Sequence, residues 1–406
     1  MRVKLAGLEL VNPVIAASGT FGYGIEFEEI VSLERLGAIV TKGVSLEPMA
    51  GHAAPRLVQT AAGMLNAIGL QNVGVEEFIE HKLPPMKRYP RCKVIVNVFG
   101  YTVSEYVGVI ERLNDAEGIA AYELNVSCPN VHAGGMAFGA DAGSLEYLVG
   151  RAKTAASRPL IVKLTPNVTS IAHMARVAAD SGADAVSVAN TFLAMAIDAE
   201  ERKPRLSNVT GGLSGPAIKP IALRLVWEAS RAVKIPVVGM GGIVTPADAV
   251  EFLLAGATAI QVGTASFADP RATERLAKGL ESWCKSHDVA KVGSLTAALE
   301  VPGASHPSEQ GPHAGGPARE QGSEKPGTRD SGLRNRLLEN QALFDVSACN
   351  SWTTRSRSFT MRFGGCARKT LSNSSKYQSC SFAPRLNLAN TAGPISLKSS
   401  RIALAL

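Results

Sequence analysis

Along the first 300 residues, short apolar runs rich in Val and Ile alternate with longer stretches of mixed polarity. The clearest runs occupy positions 13–17, 38–44, 94–99, 122–126, 160–164, 185–189, 236–240 and 259–262. Several lack the polar alternation of a half-exposed strand, which predicts strands covered on both faces, as in a parallel sheet. Between them, positions 76–83, 103–113, 145–156, 171–181, 221–232, 247–254 and 271–285 read as helices. Ser104, Ser144 and Ser170 stand near predicted helix starts, and Pro246 follows Thr245 at a first turn. Gly182 and Gly256 suit C-terminal caps. Eight such strands alternating with helices predict an α/β fold of the (β/α)8 TIM-barrel type. A doubly wound sheet is the structural alternative, but no Gly-x-Gly-x-x-Gly follows the first strand. The run GTFGYG at 19–24 is misspaced for a nucleotide loop and reads as a turn. Positions 192–216 form an extra segment after strand six, with Arg205, Gly211, Gly212 and Gly215, placed to cover a site.

The pattern stops near position 300. Residues 301–332 are rich in Gly, Pro, Ser and Glu, residues 347–400 are rich in Ser, Arg and Asn, and only 333–344 has the spacing of a short helix. Such composition cannot bury enough apolar surface to order itself, so 1–300 is read as a barrel domain and 301–406 as a disordered basic tail. This division changes the meaning of the charge. The chain of 406 residues carries a net +7, but 301–406 holds 14 Lys and Arg against 6 Asp and Glu, leaving 28 against 29 in 1–300. A nucleic-acid reading of the basicity therefore attaches to the tail alone, and the barrel is expected to bind no nucleic acid. The tail is read as a dispensable extension or an aberrant C-terminus. Six Cys are too few and too scattered for a disulfide scaffold. No run of about 18 apolar residues predicts a membrane helix, and positions 1–13 lack a signal layout. The expectation is a soluble, cytoplasmic protein with no membrane partner.

In a barrel, chemistry sits where strands end and loops begin. Those positions here hold Thr41-Lys42-Gly43, Asn97, Asn125 through Cys128 to Asn130, Lys163, Asn190-Thr191, Gly239 to Gly242, and Gly263-Thr264. Two Lys, four Asn and a Cys at successive strand ends are poor packing residues, because each buried polar group needs a partner. The glycines ending strands seven and eight let backbone N–H groups approach a phosphate, although they also serve as plain turns. Lys42 and Lys163 add positive charge, and flavin mononucleotide, with a phosphate and an electron-rich ring, fits that combination. Cys128 opens a glycine-rich loop at 128–139 that suits a lid, and its thiol can act as nucleophile or base. Cys92 and Cys284 read as inert buried thiols. A Cys128–His132 pair fits the barrel less well, and His52, His81 and His173 read as surface or structural residues. No Cys or His spacing suits a metal, so none is expected.

Taken together, these residues resemble the dihydroorotate dehydrogenase family. The resemblance rests on NVSCPN at 125–130 continuing to Gly139, NAIGL at 66–70, TKGVS at 41–45, VNVFG at 96–100, VKLTPN at 162–167, Asn190-Thr191, LSGP at 213–216 and GMGG at 239–242. It runs in order from residue 1 to about 295 and leaves the tail without a counterpart. Cys128 in place of Ser, with no membrane helix in front, is similar to the soluble class 1 enzymes, and the wording of 128–139 to the NAD-linked class 1B. The fumarate-linked class 1A and a dihydropyrimidine dehydrogenase-like flavoenzyme are the alternatives.

The resemblance implies oxidation of dihydroorotate to orotate on FMN, in pyrimidine (UMP) biosynthesis. It implies Cys128 as the catalytic base. Lys42, Asn66, Ala67, Ile68, Gly69, Leu70, Asn125, Asn130, Asn190 and Thr191 match substrate positions. Ser18, Thr41, Lys42, Asn97, Asn125, Lys163, Ala189, Gly215, Gly241, Gly242, Gly263 and Thr264 match FMN positions. By the same analogy the chain is a homodimer within a heterotetramer, whose other subunit carries FAD and a [2Fe–2S] centre, because this chain has no Cys cluster for one.

Overall fold

The structure, a computed structural model, describes residues 1–126 and 135–302, with the backbone alone for 135–137. The tail reading for 301–406 therefore falls almost wholly outside the described residues, as do Cys128, Asn130 and His132.

The chain opens with a hairpin, β1 (Val3–Leu5) and β2 (Leu8–Leu10), joined through Ala6 and Gly7. Both turn residues have positive φ, 49° and 83°, as a tight hairpin turn requires. Then come β3 (Val14–Ala16), β4 (Ala38–Val40), β5 (Leu57–Thr60), β6 (Gly63–Asn66), β7 (Lys93–Val98), β8 (Ile119–Asn125), β9 (Leu160–Lys163) and β10 (Ala185–Val188). Four short strands follow: β11 (Phe192–Met195), β12 (Ile197–Asp198), β13 (Lys203–Pro204) and β14 (Thr210–Ser214). The last are β15 (Val237–Met240) and β16 (Ala259–Val262).

Eight of these close into a parallel barrel, in the order β10-β15-β16-β3-β4-β7-β8-β9. They are the eight runs that the apolar pattern singled out. All residues of β3, β4, β9, β10, β15 and β16 are buried, as expected of strands with helices outside and a filled interior. β8 begins earlier than its pattern suggests, at Ile119, and a register shift at Val94/Ile95 accommodates it against β7.

The outer helices include Val103–Asn114, Ala142–Ala155, Ile171–Asp180, Lys219–Ala232, Pro246–Leu254 and Ala272–Ser286. Ser170 caps its helix as expected, accepting from the His173 N–H. At the two earlier starts the cap lies two and three residues upstream of the predicted serine: Thr102 accepts from Glu105 N–H, and Asp141 from Ser144 N–H. Ser104 and Ser144 sit inside the first turn. Thr245 and Asp248 form a reciprocal capping box that encloses Pro246 at the first helical position. The stretch expected as a helix at 76–83 is irregular. A short α turn at Val75–Glu77 widens into a π-helical turn at Phe78–Lys82 before Pro84.

A second sheet, antiparallel in the order β11-β14-β6-β5, joins the extra segment to a hairpin that the apolar pattern did not disclose. One face packs on a small core of Val58, Leu65, Ala67 and Leu206, with Ala194 and Leu213 beside it. Leu57, Met64, Asn66 and Ser214 alternate to the other face and line a cavity. The segment at 192–216 thus contributes a cover over the C-terminal ends of the barrel strands. Among the described residues, no helix is long and apolar enough to cross a membrane.

Candidate active site

The cavity lies between the barrel's strand ends and this cover, with an empty volume of about 1350 Å³ including its open mouth.

One end is bounded by glycine. Gly215, Gly241, Gly242 and Gly263 line it together with Ser18 and Thr264. Gly241 and Gly242 have φ of 124° and 74°, which side chains other than glycine rarely adopt. A Cβ on Gly241 would lie 2.6 Å from Ala222 Cβ, and one on Gly242 would lie 2.8 Å from the Gly215 carbonyl. The chain therefore needs glycine at both places, and bare backbone faces the cavity.

The other end carries Lys42, Asn66, Ile68, Gly69, Leu70, Asn190 and Thr191. Asn66 Nδ2 donates to the Gly212 carbonyl at 3.1 Å, which ties β6 to the cover. Asn190 Oδ1 accepts from Thr191 N–H at 2.8 Å. Gly69 has φ 72°, and a Cβ there would run into His52 at 2.6 Å. Lys42 is half-buried, and its ammonium is held below the ordinary lysine range by burial first and then by the nearby Arg56, with Glu26 opposing.

Between the two ends, Asn97, Asn125, Lys163 and Ala189 line the wall. Asn125 ends β8, where Tyr106 Oη donates to its carbonyl at 2.8 Å and fixes the strand end. Two expected residues do not reach the cavity. Thr41 is buried and its Oγ1 accepts from the Asn97 N–H at 3.2 Å, so it orients β7. Ala67 points away into the small apolar core of the cover. Cys128 and Asn130 lie outside the described residues.

Sequence reasoning missed the group beneath the cavity. Glu123, in the middle of β8, is fully buried. Its carboxylate accepts from Asn97 Nδ2 at 2.8 Å, Ser187 Oγ at 2.9 Å and Gln261 Nε2 at 2.5 Å. Lys163 Nζ lies 3.9 Å from the same carboxylate. Gln261 also lines the cavity, and β16 stands opposite β8 in the barrel order, so this bond crosses the interior. The available signal was a charged or amide residue inside an otherwise apolar run, as in AYELN at 121–125 and AIQV at 259–262.

Among the described residues, Asn97 Oδ1 and Gln261 Oε1 are buried side-chain atoms with no hydrogen-bond partner. Buried carbonyls in that state call for a donor. With Lys163 beside them and the glycine-bounded end nearby, these residues fit a phosphorylated cofactor whose ring carries an N–H and accepts negative charge. The pair Cys92 and Cys284 is buried away from this cavity, and burial pushes both thiols up.

Comparison with known proteins agrees with this geometry. Residues 1–283 match a family model described as dihydroorotate dehydrogenase. The catalytic subunit of dihydroorotate dehydrogenase B (NAD(+)) from Geobacter sp. (strain M21) is 54% identical over 301 residues, covering 74% of this chain and 98% of that protein. The subunit of the same name from Pelobacter propionicus is 55% identical over 300 residues, with the same coverage. That from Geobacter sulfurreducens is 55% identical over 301 residues, again covering 74% and 98%.

Proposed function

This chain belongs to the dihydroorotate dehydrogenase family, and from that premise we propose that it oxidises dihydroorotate to orotate in pyrimidine synthesis with FMN as its resident flavin. The observation that carries the reading is one cavity joining a glycine-bounded end, a buried lysine with two unpaired carbonyls, and an end bearing Lys42, Asn66 and Asn190. Catalysis is assigned to residues 1–300, with 301–406 as an appendage that the chemistry does not need.

Ser18, Gly215, Gly241, Gly242, Gly263 and Thr264 would hold the phosphate end of FMN, and Asn97, Lys163, Ala189 and Gln261 its ring. When bound, the flavin supplies the hydride acceptor that no side chain provides. Lys42 binds the substrate carboxylate, and Asn66, Asn125, Asn130 and Asn190 supply both donors and acceptors to the ring amides. The thiolate of Cys128 takes the proton from the carbon next to the ring carbonyl. A free cysteine titrates near pH 8.5, so its neighbours must favour the ionised form. The cover formed by β5, β6, β11 and β14 shields the substrate end from water.

The two electrons must then leave the chain. The relatives are named catalytic subunits of an NAD(+) enzyme. We assign this chain the same place: a homodimer working with an electron-transfer subunit that carries FAD and an iron–sulfur centre.

The test is an anaerobic mix of the purified protein with dihydroorotate. The flavin spectrum is expected to bleach, with residues 1–300 alone as with the full chain. Replacing Cys128→Ser should slow bleaching by about 10²–10⁴-fold, the usual contribution of a general base. No bleaching with the wild type overturns the reading, and an unchanged rate removes Cys128 from the chemistry. Full turnover by the lone chain with fumarate would place it in the fumarate-linked class instead.

A further inference from the structure

Asn97 and Gln261 line the cavity, and Glu123 explains which end of each amide is left without a partner. An ionised carboxylate only accepts hydrogen bonds, whereas a primary amide offers a donor end and an acceptor end. Glu123 draws the NH₂ ends of both Asn97 and Gln261. Each amide is thereby turned so that its oxygen is the end left over, and both oxygens lack partners. Asn97 Oδ1 lies 3.2 Å from where a Cβ on Gly43 would stand, and Gly43 lines the cavity. Ser187 Oγ donates to Glu123 and also receives a weaker bond from Gln261 Nε2 at 3.3 Å, which locks the set. Lys163 supplies the counter-charge.

We propose that Glu123 is a positioning residue that sets the polarity of the cavity floor, so that Asn97 and Gln261 present acceptors and the bound ring must meet them with an N–H. This inference rests on the flavin reading. Oxidised isoalloxazine has one ring N–H, at its imide nitrogen, and its acceptors are its two unsubstituted ring nitrogens and two carbonyl oxygens. The floor therefore selects the imide edge and rejects a ring that lacks the N–H, because a buried acceptor would stay unpaired. Removing the negative charge frees the amides. A carboxamide at position 123 has one acceptor and one donor end, so either amide can turn its NH₂ to the cavity. The selectivity is then lost even if the cavity keeps its shape.

The experiment titrates the full-length apoprotein with FMN and with FMN methylated at the imide nitrogen, following quenching of flavin fluorescence. The wild type is expected to prefer FMN by at least about tenfold, the scale of one unpaired buried acceptor. Glu123→Gln is expected to narrow that ratio to about threefold or less, and Glu123→Asp, which keeps the charge, to restore most of it. A merely structural role would weaken both ligands together and leave the ratio unchanged, which overturns the inference. If Glu123→Gln does not fold, the wild type decides: equal affinity for the two flavins overturns it, and discrimination retained by Glu123→Asp supports it. Failure of the wild type to bind FMN at all is a different result and removes the flavin reading itself.

Discussion

The barrel interior has two unlike sides. β3, β4 and β15 carry Val14, Ile15, Ala16, Ala38, Ile39, Val40, Val237, Val238, Gly239 and Met240, with no charged or amide side chain. β7, β8, β9 and β10, with β16 reaching across, carry Asn97, Glu123, Asn125, Lys163, Ser187 and Gln261. Both sides are buried to the same extent, so burial is not what separates them. The apolar side is stabilised by removing surface from water, and any side chain of suitable volume serves. The polar side gains little net stability from its bonds, since water would make them too, but loses much if one partner is removed. A protein built for stability alone would fill both sides with Val and Ile. The polar side is kept for what it presents to the cavity.

The largest effect that would test this division comes from Glu123→Ala. It leaves Lys163 buried without its counter-charge, and the NH₂ ends of Asn97 and Gln261 without their acceptor. Breaking a buried pair on one side costs about 3–5 kcal/mol. Urea unfolding of the flavin-free protein should register that loss, and a cost below about 1 kcal/mol would mean the polar side is as forgiving as the apolar one.

Next in size is Lys42→Met at the mouth. A hydrogen bond to a charged group is worth about 1.5–3 kcal/mol, so KM for dihydroorotate should rise by roughly 10- to 100-fold. The wild type offers a second check. Burial and Arg56 depress the Lys42 ammonium below the ordinary 10.5. The protonated form that holds a carboxylate is therefore complete at low pH and is lost, as pH rises, earlier than for an exposed lysine. KM should climb on the alkaline side at a pH below 10.5 in the wild type and stay flat there in Lys42→Met. A flat wild-type profile would detach Lys42 from the substrate.

The same division governs what could be read without a structure. The eight barrel strands were legible because double-sided burial forces uninterrupted Val, Ile and Ala. Lys42, Asn97, Asn125, Lys163 and Asn190 were legible because polar residues stand out at strand ends, where barrels place their chemistry. Glu123, Ser187 and Gln261 were not, since they lie inside the strands and their meaning depends on partners up to 138 positions away. The hairpin β5–β6 escaped for another reason: its residues alternate toward a small core and a cavity that only β14, far along the chain, completes. Thr41 and Ala67 were carried in by their neighbours' motifs, but Thr41 turns to the Asn97 N–H and Ala67 into the small core of the cover.

The finest comparison removes one heavy atom from each side. Ser187→Ala deletes the hydroxyl that donates to Glu123 at 2.9 Å, and Ile39→Val deletes one methyl-sized group from a fully buried residue. The first leaves a buried carboxylate short of a donor and should cost about 1–3 kcal/mol. It should also loosen flavin binding, because Gln261 loses the group that locks its amide. The second should cost about 0.5–1.5 kcal/mol and leave flavin affinity unchanged, since the neighbours of Ile39 carry no orientation to lose. Thermal unfolding and flavin titration of the two variants side by side separate the cases. If Ile39→Val loosened the flavin as much as Ser187→Ala, the cofactor would be sensing barrel packing in general, and the polar side would have no special claim on it.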